Sequence, residues 1–247
     1  MITAAKREIP YDSVIKPVMI GEKENERLNV GFLNELIVKI KILSTAKIEK
    51  KEIVKSENGN GKIIAIGAST GGVEAIQHLL IGLPNTLPGI VIVQHIPPNF
   101  SRLFAERLNG TCKMRVKEAE DGEEVVSGTA IVAAGDKHMK IIKKGEKYIV
   151  KCYFGEKVSG HCPSVDVLFE SVAEAAGTNA IGVILTGMGA DGARGMRSLR
   201  KKGAYTIGQD EKSCVIYGMP MEAHKLGGVV KQLPLSAIGK ELIEKSR

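Results

Sequence analysis

The 247-residue chain has no tryptophan, and it has only five phenylalanines and five tyrosines. So few aromatic side chains argue against an aromatic-rich binding surface of the kind that stacks on nucleic-acid bases. No run of 18 uncharged apolar residues is present, so no membrane-spanning helix is predicted. The first residues lack the apolar core of a signal peptide, and we expect no secretion by that route.

Cysteine is also scarce, and the four residues are scattered without a Cys-x-x-Cys pair: Cys112, Cys152, Cys162 and Cys214. Structural zinc sites use ligand pairs at short spacing, so no metal site is predicted. A chain of this length buries its own core without disulfide bonds. We therefore expect reduced thiols and a cytoplasmic location.

The charge is modestly basic, with 35 Lys and Arg against 28 Asp and Glu, a formal net charge of +7. Hydrophobic residues make up 43% of the chain and charged residues 26%, as in ordinary globular domains, which excludes disorder throughout. The basic excess forms no lysine or arginine stripe, so nucleic acid is a disfavoured partner. A basic surface favours an acidic protein partner through electrostatic steering.

From Lys62 onwards, short apolar runs alternate with segments of helical periodicity. KIIAIG and GIVIVQH have the continuous apolar character of buried strands, and helical segments follow both. The alternation predicts an α/β fold: a doubly wound, mostly parallel sheet with helices on both faces, in a Rossmann-like three-layer arrangement. Within it, HMKIIKKGEKYIVKC predicts a β-hairpin insertion with a Lys-Gly-Glu turn.

The first strand leads directly into a G-x-S-x-G motif, Gly67 to Gly71, before a helix. In that context the motif indicates a nucleophile elbow, which presents Ser69 above the carboxyl edge of the sheet. The helix that follows offers free N–H groups and a positive dipole end to a developing oxyanion. A phosphate-binding loop and a purely structural turn remain alternatives, although the usual phosphate-loop patterns are absent.

A serine nucleophile needs a base, and the chain has five histidines. His95 closes the second strand and is expected at the same sheet edge as the serine. His138 follows another strand and is a competitor, while His161 is a candidate for a supporting position in a loop. His78 and His224 lie in predicted helices and are expected to be surface or packing residues.

The base needs an orienting carboxylate, and the strand AIGVILTG delivers Asp191 to the same edge. The alternative role for Asp191 is the N-cap of its own helix, and we expect one carboxylate to serve only one of these roles. The glycines beside Met188 make its backbone N–H an oxyanion-hole candidate. The chain order Ser69, His95, Asp191 differs from that of α/β-hydrolases, but it supports the same acyl-transfer chemistry.

Several long motifs in this chain resemble the catalytic domain of CheB-type chemotaxis protein-glutamate methylesterases, over about Lys62 to the C-terminus. They are IGASTGG (66–72), QHIPPNFSRLFAERL (94–108), AEDGE (119–123), PSVDVLF (163–169), LTGMGADGARGM (185–196) and QDEKSCVIYGMP (209–220). The resemblance implies a catalytic triad of Ser69, His95 and Asp191. It also implies that Thr70 and Met188 line the site, and that no metal or organic cofactor takes part.

The resemblance further implies the substrate. Family members hydrolyse glutamyl methyl esters on the cytoplasmic helices of methyl-accepting chemotaxis receptors and release methanol, and they also deamidate particular glutamines there. Both reactions pass through an acyl-enzyme. Two alternatives stay open: a weak or inactive methylesterase-like adaptor, and an esterase of the same fold in a signalling system other than chemotaxis.

The N-terminal quarter departs from the family pattern, in which a receiver domain precedes the catalytic domain. We predict that residues 62–247 form the catalytic domain, that 46–61 form a linker, and that 1–45 are a weakly ordered remnant of a receiver. SVIKP (13–17) and GFLNELIVKIKIL resemble the last strand and helix of a receiver. Because Asp12 is the only aspartate before residue 62, phosphorylation in cis is not expected. The chemotaxis histidine kinase is then a partner only if a complete receiver exists elsewhere.

Overall fold

The computed structural model describes residues 61–247. The receiver remnant predicted for 1–45, and all but the last residue of the linker predicted for 46–61, lie outside the described residues. None of the helices within residues 61–247 has the length and hydrophobicity of a membrane span.

A seven-stranded sheet forms the centre of the fold, and every neighbouring pair of strands in it is parallel. Its strands are β1 (Ile63–Ala68), β2 (Gly89–Gln94), β3 (Arg115–Glu118), β4 (Thr129–Val132), β7 (Ala180–Ile184), β8 (Tyr205–Gln209) and β9 (Lys231–Leu233). Their order in space is β3-β4-β2-β1-β7-β8-β9. All residues of β1 and β2 are buried, which explains their unbroken apolar sequences.

In the described part of the chain, six α-helices cover the sheet: α1 (Gly72–Ile81), α2 (Phe100–Thr111), α3 (Val165–Ala176), α4 (Ala193–Lys201), α5 (Met219–Lys225) and α6 (Leu235–Ser246). Buried apolar residues of α1, α2 and α6 pack in one core, on one face of the sheet. Those of α3, α4 and α5 belong to a second core on the other face. The predicted three-layer α/β fold is therefore confirmed.

The predicted hairpin is also present, as β5 (His138–Lys144) and β6 (Lys147–Tyr153) in a separate two-stranded antiparallel sheet. Gly145, with φ +59°, occupies its two-residue turn. Met139, Ile141, Tyr148 and Val150 belong to the same core as α3. The hairpin thus extends the helical layer on that face rather than the main sheet.

The strand order places a topological switch point beside β1. The chain continues from β1 to β2 on one side, and β7 later pairs with β1 on the other. In doubly wound sheets, ligands bind in the crevice outside the carboxyl ends of strands at such a point. A catalytic or binding site is therefore expected at the residues that follow β1, β2 and β7.

Candidate active site

Ser69 occupies a tight turn between β1 and α1. Its backbone N–H donates to the carbonyl of Thr186 at 3.0 Å, and its own carbonyl accepts from the N–H of Gly72 at 2.8 Å. Gly71 has φ +77° and is the N-cap residue of α1, a conformation that L-residues with side chains rarely adopt. The structure therefore has the strand-turn-helix context that the G-x-S-x-G motif predicts.

The loop after β7 passes directly against this serine. A Cβ atom on Gly187 would lie 2.8 Å from the Cβ of Ser69, so only glycine permits this approach. Met188 follows and is 69% exposed at the rim of the site. Thr70 is exposed too, and its carbonyl accepts from the hydroxyl of Thr186 at 3.0 Å. The roles assigned to Thr70 and Met188 stay predictions.

His95 follows β2 and lies beside the end of β1. Its backbone N–H donates to the carbonyl of Ala68 at 3.2 Å, which continues the pairing of the two strands. On the side chain, Nε2 contacts Oδ2 of Asp191 at 2.8 Å. The other ring nitrogen, Nδ1, is buried and has no hydrogen-bond partner within residues 61–247. Since Nε2 is held by the carboxylate, Nδ1 is the nitrogen available to take a proton.

Asp191 is 2% exposed and accepts four hydrogen bonds. Besides His95, the donors are the N–H groups of Val165 and Asp166, at 2.7 and 3.0 Å, and the hydroxyl of Ser164, at 2.8 Å. These backbone groups belong to the N-terminus of α3. The carboxylate therefore caps one helix and holds the imidazole at the same time.

Of the two roles considered for Asp191, the structure shows the contact with His95 and not the N-cap of its own helix. The N-cap of its own helix, α4, is Gly192, with φ +91°, and not Asp191. The carboxylate also has a role that was not predicted at the start of a second helix, since its two oxygens offer about four acceptor positions and all four are used. The helix it caps is α3, which is remote in sequence, and the N-terminal dipole of that helix favours a negative charge there.

The environment keeps Asp191 ionised. Burial works to raise the pKa of this carboxyl, but the hydrogen bond from His95 opposes it, with those from the Asp166 amide, Ser164 and the Val165 amide. Together these hydrogen bonds outweigh the effect of burial and hold the pKa of Asp191 below its ordinary value of 3.8. At neutral pH the group is an anion beside an imidazole, which fixes the ring tautomer and stabilises the imidazolium form.

This lowered pKa links folding stability to pH. Because the folded-state pKa is depressed, the contribution of Asp191 is present above its ordinary value of 3.8 and is lost as the pH falls through the folded-state value. We expect urea unfolding to show that Asp191→Asn costs about 1–3 kcal/mol near neutral pH, since it leaves buried donors facing an amide. The cost should shrink at acid pH. A cost that is the same at acid and neutral pH would contradict the ionised, hydrogen-bonded carboxylate.

The competing histidine, His138, has both ring nitrogens engaged by the backbone. Its Nε2 donates to the carbonyl of Glu156 at 2.9 Å, and its Nδ1 accepts from the N–H of Ser164 at 3.3 Å. Its side chain is 1% exposed. His138 therefore holds the segment that donates hydrogen bonds to Asp191. His78 and His224 lie exposed on α1 and α5, as predicted.

Two buried glutamines that the sequence analysis did not single out tie the site loops together. Gln94 donates from Nε2 to the carbonyls of Ser69, at 2.9 Å, and His95, at 3.1 Å. Gln209 accepts from the N–H of Thr186 at 2.8 Å. Each is the last residue of an apolar strand, in VIVQH and TIGQD. A glutamine at the end of an otherwise apolar strand is the sequence feature that could have identified both residues.

Comparison with known proteins gives a consistent result. The CheB methylesterase family matches residues 64–242. A relative from Syntrophomonas wolfei, named protein-glutamate methylesterase/protein-glutamine glutaminase 2, is 51% identical over 94% of this chain and 69% of its own length. Two further relatives, from Syntrophotalea carbinolica and Salmonella typhimurium, are named protein-glutamate methylesterase/protein-glutamine glutaminase. They are 46% and 55% identical, over 87% and 74% of this chain. The chain spans 65% and 53% of their lengths.

A solved structure agrees with these sequence matches. The crystal structure of the Thermotoga maritima CheB methylesterase catalytic domain superposes with a TM-score of 0.73 at 39% identity. The match covers 74% of this chain and 98% of that domain. Since the family match takes in more than half of the chain, and the Syntrophomonas relative is matched over most of both sequences, the chain belongs to the CheB methylesterase family.

Proposed function

We propose that this chain is a protein-glutamate methylesterase, which hydrolyses glutamyl methyl esters on the cytoplasmic helices of chemotaxis receptors. The observation that carries the proposal is the 2.8 Å contact between His95 and Asp191, beside the turn that presents Ser69. The names of the relatives supply the substrate, a glutamyl ester or a glutamine in a protein. We infer a cytoplasmic location for the enzyme, because the receptor helices that carry this substrate lie in the cytoplasm.

The geometry supports a two-step mechanism. The hydroxyl of Ser69 attacks the γ-carbonyl carbon of the ester while Nδ1 of His95 takes its proton, and Asp191 stabilises the resulting imidazolium. The tetrahedral intermediate collapses, the C–O bond to the methoxy group breaks, and His95 returns the proton so that methanol leaves. A water molecule then attacks the acyl-enzyme with the same base and frees Ser69 and the glutamate.

Glutamine deamidation follows the same path with a different leaving group. The γ-carboxamide gives the same acyl-enzyme, and ammonia leaves in place of methanol. The oxyanion of both intermediates is assigned to backbone N–H groups at the start of α1 and at Met188, with Thr70 at the rim. The triad supplies nucleophile, base and countercharge, so this mechanism uses no metal or organic cofactor.

The receptor is the proposed partner, and the chemotaxis histidine kinase is one only through a complete receiver domain. To test the substrate, the full chain is incubated with receptor membranes that carry radiolabelled methyl esters, and volatile methanol is counted. A small glutamyl methyl ester serves as a parallel substrate. We expect release from the receptors above a protein-free blank. Cleavage of the small ester alone would favour an esterase of another signalling system, and no cleavage of either would favour an adaptor.

Asp191→Asn tests the role of the carboxylate in turnover. We expect kcat to fall about 10⁴-fold, because the amide no longer fixes the tautomer of His95 or stabilises its charged form. Asp136→Asn is the matched control: Asp136 is exposed and has φ +61°, which asparagine tolerates. The measurement is the rate of methanol release at equal concentrations of folded protein. A variant with unchanged kcat would remove Asp191 from the mechanism.

A further inference from the structure

The imidazole of His161 lies flat against the imidazole of His95. The two ring centroids are 3.6 Å apart, and the ring planes differ by 10°. The contact is therefore a face-to-face stack on the proposed base. His161 is not hydrogen-bonded to the triad in this arrangement, so its contribution to the site lies in the stacked face.

The backbone presents His161 on a tight turn. Val158 and His161 exchange two hydrogen bonds, each of 3.0 Å, across Ser159 and Gly160. Those two residues have φ values of +52° and +84°, the combination of a narrow hairpin turn. This turn fixes the backbone position from which the His161 ring reaches the stack.

Side-chain contacts anchor the turn to the helix that Asp191 caps. The hydroxyl of Ser159 donates to Oδ2 of Asp166 at 3.3 Å, and Nε of Arg194 donates to the same oxygen at 3.0 Å. Asp166 is 1% exposed and also accepts from the N–H of Gly195 at 2.9 Å. The stacked histidine and the orienting carboxylate are thus held by one set of contacts around the start of α3.

We propose that His161 is a positioning residue for the esterase reaction, which fixes the plane of the His95 ring so that Nδ1 faces the serine while Nε2 stays on Asp191. The inference rests on the proposed roles of Ser69 and His95. A single hydrogen bond at Nε2 fixes one point of a ring whose second torsion is soft. A flat contact on one face of the ring fixes rotation about the Cβ–Cγ bond of His95, which the hydrogen bond leaves free.

Because the two rings are stacked, the charge state of His161 affects the stability of the His95 cation. The catalytic step makes His95 a cation, and a neutral aromatic face beside it is attractive, whereas a second cation at 3.6 Å is repulsive. The charged groups that act on His161 are His95 and Lys157, which disfavour its protonation, and Asp191, which favours it. Burial and then His95 lower the pKa of His161. His161 is therefore neutral at pH 7 and becomes charged only in acid.

The test compares two variants of the full chain. His161→Phe keeps a flat ring on His95, and His161→Ala removes it, while His224→Ala removes an exposed histidine on α5 as a matched control. We expect His161→Ala to lose about 10- to 100-fold in kcat with KM little changed, the size of effect that small misplacement of a catalytic group produces. His161→Phe should recover most of that loss.

A measurement that needs no turnover separates this inference from the proposed function. In the NMR spectrum, the ring protons of His95 carry a ring-current shift from the stacked partner, which should be lost in His161→Ala and kept in His161→Phe. If the unmodified chain releases no methanol, the proposed function fails, but the spectrum still shows whether His161 stacks on His95. Unchanged His95 signals in His161→Ala, a His161→Ala variant as active as the unmodified chain, or a His161→Phe variant as impaired as His161→Ala, would each overturn the inference.

Discussion

Replacement of His95 by alanine is expected to lower kcat for a methylated glutamyl peptide by about 10⁵- to 10⁶-fold, nearly as much as loss of the nucleophile. Without the imidazole, the hydroxyl of Ser69 keeps its proton and is a weak nucleophile. Asp191 then becomes a buried carboxylate with no imidazole on Oδ2, although it keeps its three donors from the start of α3. We therefore expect the variant to fold.

Chemical rescue makes this test specific. Free imidazole in the buffer should restore part of the activity of His95→Ala and none of the activity of Ser69→Ala, because only the first lacks a base. His138→Ala is the informative comparison: His138 was the competing base, and both its ring nitrogens bind backbone groups. A loss in His138→Ala as deep as that in His95→Ala, with folding intact, would show that the base has been assigned to the wrong histidine.

The second large effect is expected from Ser69→Ala, with a loss of about 10⁵- to 10⁶-fold in kcat on the same peptide. The double variant of Ser69→Ala and His95→Ala should be no worse than either single variant, because the nucleophile and its base act as one unit. This non-additivity distinguishes a shared catalytic step from two independent structural defects. Losses that multiply in the double variant would contradict the proposed pairing.

Ser236→Ala is the control for the removal of a serine hydroxyl, because Ser236 is exposed on α6 and remote in sequence from the triad. It should keep full activity. Circular dichroism and urea unfolding of each variant show whether a loss of activity reflects a loss of fold. Ser69 makes its hydrogen bonds to Thr186, Gly72 and Gln94 through its backbone, so Ser69→Ala should unfold with the same free energy as the unmodified chain.

The sequence predicts the centre of this fold well, because its strands are buried on both faces. β1 and β2 appear as unbroken apolar runs, and the Lys-Gly-Glu turn identifies the hairpin. β3 and β4 were harder to place: the segment between them, residues 119–128, contains no helix, so the strand-helix alternation that indicates a parallel sheet is absent there. They nevertheless pair in parallel.

The site was predictable where it depends on strand ends and not where it depends on packing between distant segments. Ser69, His95 and Asp191 follow β1, β2 and β7, and parallel strands bring their carboxyl ends to one edge. The contacts of Asp191 with the start of α3 join residues that are 25 to 27 positions apart. The stack of His161 on His95 joins loops with no periodic signal, so only the folded structure shows it.

We propose that Ser69 is the nucleophile of ester hydrolysis on chemotaxis receptors. The most direct test of this role is methanol release from methylated receptor membranes by the unmodified chain and by Ser69→Ala, at the same concentration and in the same assay. We expect release by the unmodified chain and none above the blank by Ser69→Ala. Equal release by both would contradict the proposed mechanism at its nucleophile.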